Sequence, residues 1–352
     1  MDVIIGMKKR LVIILVAMMP LLANAQSAKR FWSDGPLTAA DFPQVDTASH
    51  LAWYMGYTKV TEKSDGIYYT YYKAITYMLP YSSALACEAD LPRMQMLFDR
   101  LELHRRELQQ QLNEAESDDE FDDLLSAARQ RMLNDEKHLP IVNAIRQPQA
   151  SPIPTFTDQT FRFGVAVGNP LTIATGNLAK MMGTAIGVAP AIEIGWHRSH
   201  IMTDLSLMWG TLTGTVGTPQ HRFLQGNKYM VLNAAFYYGH ALYESRHLRL
   251  MPYVGAGLGI LSSNTATDSV SCIGINPQVG LTVDIPFYTH VITQSGNSGL
   301  FSFITSNHSI YNIRAQLFLR RDTWLGVADG VTIGFNLGVS FLGRNTSPAR
   351  NL

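Results

Sequence analysis

The chain has 352 residues, a length that suggests two domains. Apolar residues make up 46% and charged residues 16%, well below the roughly 25% charged share of soluble domains, so part of the surface is expected to avoid water. The formal net charge is zero, which argues against an electrostatic search for nucleic acid.

The N-terminus has the pattern of a secretory signal. Lys8, Lys9 and Arg10 form a basic region, and Leu11 to Leu22 is an apolar run too short to span a bilayer. Ala23-Asn24-Ala25 then supplies an A-x-A cleavage site before Gln26. Residues 1–25 are therefore expected to be removed on export, with Met7 an alternative start. No cysteine follows the apolar run, so no lipid anchor is expected. Past this segment no stretch reaches the ~18 unbroken apolar residues of a spanning helix. A chain poor in charge and without spanning helices fits a β-barrel, which spreads its apolar surface over alternate residues.

Residues 26–150 suggest an α+β domain, placed in the periplasm and large enough for its own core. Gly66 through Lys73 is aromatic and suits a strand. Tyr68, Tyr69, Tyr71 and Tyr72 are expected to face a core, the alternative being a sugar- or peptide-binding platform. Leu91 to Leu139 is rich in Leu, Glu, Gln and Arg, and is broken by the acidic run from Glu114 to Glu120, expected as a turn between two helices. Leu97, Leu101, Leu108 and Leu112 recur at three-, four- and seven-residue steps and mark one apolar face. Cys87 falls in this domain and Cys272 in the next; a disulfide between them is not favoured, and both are expected to be small buried residues.

Trp32 followed by Leu37-Thr38-Ala39-Ala40-Asp41-Phe42 resembles the opening of a family of secreted bacterial proteins predicted to be zinc-dependent peptidases. In that family a helix carrying H-E-x-x-H-F-D follows. The corresponding stretch here reads Arg93-Met94-Gln95-Met96-Leu97-Phe98-Asp99. Phe98 and Asp99 match, but Arg93 and Leu97 stand where the zinc-binding histidines would be, and Met94 where the base would be. Neither Arg nor Leu holds zinc, and Met takes no proton. The resemblance thus implies a peptidase fold that has lost its machinery, with no catalytic residue and no metal or other cofactor expected. His104, Glu107 and His138 offer the alternative of an atypical zinc hydrolase.

Gln147 to Pro154 is a Pro-rich polar tether, setting a linker at 151–159 and a second domain at 160–345. There the apolar period becomes two. Ile186, Val188, Pro190, Ile192, Ile194 and Trp196 share one face against Gly187, Ala189, Ala191, Glu193 and Gly195, and residues 275–285 and 331–341 repeat the pattern. Strands are predicted over 160–169, 183–197, 200–212, 227–240, 248–261, 272–286, 309–320 and 330–342. Residues 287–308 make a long connection that would raise the eight strands to ten if it held a further hairpin, or would extend two strands beyond the membrane. The polar face is mostly Gly, Ala, Asn, Gln and Thr with few lysines, which suits the inside of a narrow antiparallel transmembrane barrel better than a water-facing sheet. Phe161, Trp196, Trp209, Tyr238 and Phe341 near strand ends are candidates for interfacial girdles. Pro252-Tyr253-Val254-Gly255-Ala256-Gly257-Leu258-Gly259 resembles a strand common in small bacterial outer-membrane barrels of the porin-like surface-antigen type.

Arg162, Glu193, Asp204, Asp284 and Arg314 are predicted inside the barrel, with Asn233, Asn276, Gln278, Asn312 and Gln316. Charges confined there should pair, and eight strands leave room for little beyond their own side chains. The expected protein is a non-enzymatic outer-membrane barrel with a periplasmic domain serving as envelope scaffold or interaction module. Its expected partners are membrane lipid and an envelope protein or peptidoglycan, with no nucleic acid; a transport or secretion component is the other alternative.

Overall fold

The computed structural model describes residues 29–115, 118–134, 153, 156–218, 221–264, 269–293, 307–325 and 327–348. The expected signal segment, His138 and all of the Pro-rich tether except Ile153 lie outside them. Contacts divide the chain into one unit of Met1–Val60, Tyr71–Thr155 and Arg350–Leu352, and another of Thr61–Thr70 and Phe156–Ala349.

The first unit centres on helices α1 (Leu91–Glu114) and α2 (Phe121–Asn134) and on strands β1 (Trp53–Ser64) and β2 (Ile67–Met78), except for the hairpin end Thr61–Thr70, which belongs to the second unit. Asp65 and Gly66 join β1 to β2 with φ of 49° and 84°. A two-residue type I′ turn needs positive φ at both positions, and an Asp-Gly pair adopts it at little cost. Pro92 opens α1, where a missing N–H does no harm. Met94, Phe98, Leu101, Leu108 and Leu112 of α1 are 0–1% exposed and pack with Phe121, Leu125, Ala128 and Met132 of α2 and with Met55, Ala74 and Met78. Each large side chain so buried contributes about 1.5–3 kcal/mol. The stripe centres on Met94 and Phe98, which leaves Leu97 half-buried at its edge.

In the second unit β3 (Phe156–Ala174), β4 (Met182–Trp196), β5 (Ser199–Leu212), β6 (Val216–Thr218), β7 (His221–Phe223), β8 (Lys228–His240), β9 (Tyr243–Glu244), β10 (Arg249–Asn264), β11 (Ser269–Ile292), β12 (His308–Trp324) and β13 (Ala328–Pro348) follow in order. β3, β4, β5, β8, β10, β11, β12 and β13 pair antiparallel in that order, and β13 pairs back onto β3, closing an eight-stranded barrel. β6 and β7 form a separate small ribbon, and β9 caps the edge of β10. Several strands overrun the lengths predicted for them. β3 starts at Phe156, within the stretch expected as linker, because its first residues pair with Thr346–Pro348 at the end of β13. β11 runs on to Ile292, where its last three residues pair in parallel with Tyr68–Thr70. Part of the long connection is therefore strand; a further hairpin in it would lie outside the described residues.

The barrel wall is inverted relative to a water-soluble one. Ile186, Ile192, Ile194 and Trp196 are 45–61% exposed, whereas Glu193 is 2% exposed. Ile275, Val279, Leu281 and Ile285 face out, and Asn276, Gln278, Thr282 and Asp284 face in at 0–6% exposure. Of the aromatics expected at strand ends, Trp196, Trp209 and Tyr238 are exposed, while Phe161 and Phe341 are half-buried. Phe341 continues an outer ladder with Tyr311 and Tyr288, at ring separations of 5.3 and 5.6 Å. Inside, Gly334 faces Phe318 so closely that a Cβ would lie 2.0 Å from its ring, so glycine there is what admits the inward phenyl group.

Cys87 corrects an expectation. It is exposed, because it sits in the connection just before the short 3-10 turn that leads into α1, rather than on a core-facing position. Cys272 is half-buried against an apolar cluster, and both thiols are free.

Candidate functional site

The most concentrated chemistry among the described residues lies inside the barrel. Period-two alternation turns Glu193 of β4, His200 of β5, Arg249 of β10, Asp284 of β11 and Arg314 of β12 inward, and five strands thus meet in one buried cluster. Arg249 donates from Nε to Asp284 Oδ2 at 2.8 Å and from Nη1 to Glu193 Oε1 at 2.6 Å. Arg314 donates from Nε to Asp284 Oδ1 at 2.7 Å and from Nη2 to Glu193 Oε2 at 2.5 Å. Each carboxylate is therefore held by both guanidiniums, in the forked geometry that suits Arg. His200 adds a fifth group, with Nδ1 2.8 Å from Glu193 Oε1. It fits because Gly195 stands opposite it on β4, where a Cβ would come within 2.7 Å of the imidazole.

Of the five charged residues predicted inside, the structure brings together Glu193, Asp284 and Arg314. Arg162 lies nearer the end that carries both barrel termini and pairs with Glu244. Asp204 stands apart and lines a cavity of about 20 Å³ with Tyr237, Gln316 and Asn336. That volume holds about one water molecule. Farther along, Arg320 bonds Asp322 at 2.8 Å, and Asp322 also accepts from Thr332. Beyond these, Leu178, Met181, Met208, Leu212, Phe223 and Trp324 belong to a buried apolar cluster at the barrel end away from the termini.

Sequence reading missed Arg249, His200 and Glu244. Arg249 opens β10 in the parity of Met251 and Tyr253, and His200 shares the parity of Asp204, so inward alternation carried to the strand ends would have found both. Glu244 sits in the two-residue β9, too short to show any period.

At the terminal end, Asp158 is met by His308 Nδ1 at 2.7 Å and by Arg344 Nη2 at 2.7 Å.

In the first unit, the positions of the degenerate peptidase motif take ordinary structural roles. Arg93 is exposed, Met94 is core and Leu97 half-buried. Gln95 and Asp99 instead hold the preceding segment: Leu37 N donates to Gln95 Oε1 at 2.6 Å, and Trp32 Nε1 to Asp99 Oδ1 at 2.9 Å. His104 Nδ1 is 3.0 Å from Glu107 Oε2. Among the described residues no group of three potential ligands gathers around them. Glu102 accepts from Arg105 at two points, both 2.8 Å, and from Arg106 at 2.9 Å. Burial acts to raise its carboxyl, but the two arginines outweigh it and hold it below the usual value. Tyr72 packs edge-on against Tyr57 and Phe121, as a core residue does, and Tyr71 is fully buried. Tyr68 and Tyr69 belong to the second unit, half-buried on the stretch paired to β11, and Tyr68 lies against Tyr288 at 5.0 Å.

No protein-family model and no curated sequence matches the chain. Solved structures similar to it include Ail, the attachment invasion locus protein of Yersinia pestis, at 10% identity and a TM-score of 0.32, covering 51% of this chain and 97% of that one. Neisserial surface protein A is similar at 9% identity and a TM-score of 0.30, covering 53% and 99%. The N-terminal β-barrel domain of Pseudomonas aeruginosa OprF is similar at 15% identity and a TM-score of 0.23, again covering 53% and 99%.

Proposed function

We propose that the chain is an outer-membrane protein whose eight-stranded barrel anchors a non-catalytic periplasmic unit acting as an envelope scaffold or interaction module. The outward-facing apolar wall carries this reading. On β3 the exposed residues Val165, Val167, Leu171 and Ile173 cover nine positions, which at the usual rise and tilt amounts to a band about 20–25 Å tall. Water would penalise such a surface around a whole barrel, whereas hydrocarbon requires it. Trp196, Tyr238 and Tyr243, all over half exposed, stand towards the terminal end, where an aromatic girdle belongs.

A scaffold role is favoured over transport because, among the described residues, charges, amides and an apolar cluster occupy the barrel interior, and the space beside Asp204 is water-sized. It is favoured over hydrolysis because Arg93, Met94 and Leu97 replace the groups a zinc peptidase needs. The test is gel mobility of the detergent-extracted protein with and without boiling, combined with protease digestion of intact cells. A heat-dependent shift, with residues 26–150 protected until the outer membrane is opened, is the expected result. A protein fully soluble without detergent and with no shift would overturn the membrane assignment.

A further inference from the structure

The mouth of the barrel at its terminal end opens into a vestibule of about 710 Å³, within the size range of small-molecule sites, which favour barrel mouths. Its floor is electrostatically settled: Arg162 is matched by Glu244, and Arg344 and His308 by Asp158. Its rim is not. The β4–β5 turn contributes His197-Arg198, and the connection from β8 to β10 contributes Arg246-His247. These two segments adjoin, since Ala241 N donates to Arg198 O at 2.7 Å. All four side chains are exposed and line the same vestibule. Neither arginine has an ion pair with a described carboxylate; the one side-chain bond of Arg246 among the described residues runs to His247 Nε2, at 3.2 Å. The one lining acid not already matched is Asp65.

We propose that this rim, with Arg198 and Arg246 as its principal ligands, is a binding site for a phosphate-bearing anion. Two guanidiniums on adjoining turns present forked donors to one space, which matches the several equivalent oxygens of a phosphate group. The floor beneath cannot serve instead, because its arginines already bond carboxylates. Backbone geometry marks the same turn: His197, next to Arg198, has φ of 56° in a two-residue connection between β4 and β5. The exposed Trp196, Leu242 and Tyr243 beside the rim would suit a phosphate carried by a lipid, while the volume of the vestibule would suit a soluble polyphosphate. The phosphate chemistry is common to both. This inference stands apart from the scaffold reading, since every residue that lines the vestibule belongs to the second unit, Asp65, Gly66 and Ile67 included.

The test uses the full chain in a neutral maltoside detergent. Inositol hexakisphosphate is titrated calorimetrically in one arm, and short-chain phosphatidic acid in mixed micelles in the other. Saturable binding in either arm is expected, weakening with salt as exposed charge pairs do. The double variant Arg198→Ala/Arg246→Ala should weaken it by about tenfold or more. Arg321→Ala, an exposed arginine on the far end of β12, should leave it unchanged. If the double variant loses its heat-dependent gel shift, Arg246→Gln alone replaces it, with a smaller loss expected. Saturation by inositol hexakisphosphate alone would identify a soluble ligand, and by phosphatidic acid alone a headgroup. No saturation in either arm, or equal binding by the arginine variants and the parent, would overturn the proposal.

Discussion

Arg249 reaches from the first position of β10 to Glu193 on β4, its Nη1 lying 2.6 Å from Oε1, and spans strands that are not neighbours in the barrel wall. The contact crosses the interior instead of following the sheet, so it braces the barrel in a direction that backbone hydrogen bonds do not. Removing Arg249 would leave Glu193 and Asp284 sharing Arg314, with His200 as the other partner of Glu193. Stranding a buried charge costs about 3–5 kcal/mol. Arg249→Met should therefore lower the urea midpoint for unfolding from detergent or vesicles, and Arg249→Met/Glu193→Gln should cost less than the two single changes added together. Additive losses would mean that the two side chains do not depend on each other.

The outward wall gives a second expectation. Leu205 on β5 is 50% exposed, whereas its neighbour Ser206 is buried and faces in. Leu205→Arg should destabilise the vesicle-embedded barrel by about 2–4 kcal/mol, the cost of a cation facing hydrocarbon near mid-depth. A soluble barrel would show the reverse, with little loss and better solubility. Refolding yield into phosphatidylcholine vesicles, followed by the heat-dependent gel shift, distinguishes them.

The filled interior sets a third. Between the Arg249 cluster and the apolar cluster around Trp324 lie Asn233 and Asn276, hydrogen-bonded at 2.9 Å, then Arg320 with Asp322. An ion would have to displace several satisfied polar groups to pass. Planar bilayers carrying the purified protein should show no stepwise conductance, and reproducible steps would require an interior that opens.

The barrel was legible because its signal is local. Alternation along each strand is visible in sequence, and it assigned the inward face of Glu193, Asp284 and Arg314. Which inward charges meet is not local. Register and closure bring residues 56, 35 and 121 positions apart into contact, and nothing in one strand reports where its partner begins. Several strand ends were read short for the same reason: β3 extends to Phe156 because the tail of β13 is there to pair with it. In the first unit, the helix stripe was visible in its spacing. The roles of Gln95 and Asp99 were not, since they depend on tertiary bonds to residues 58 and 67 positions earlier.

Glu102 on α1 allows a prediction for pH. Its carboxylate is stabilised in the folded chain by Arg105 and Arg106 against the cost of burial, so its folded pKa lies below the ordinary value of 4.5. A carboxyl depressed by folding contributes stability that is fully present above the unfolded pKa and is lost as pH falls through the folded one. The structure around α1 should thus weaken on acidification below about pH 4.5, at the onset set by the unfolded carboxyl. Glu102→Gln removes that dependence while leaving Arg105 with a poorer acceptor, at a cost near neutral pH of about 1–3 kcal/mol. Hydrogen exchange of α1 peptides in the full-length protein, compared at pH 7 and pH 4, reads both effects. Exchange should rise on acidification in the parent and be faster but less pH-dependent in the variant, after correction for intrinsic rates. An identical pH response in the two proteins would assign the acid sensitivity of this unit to other carboxylates.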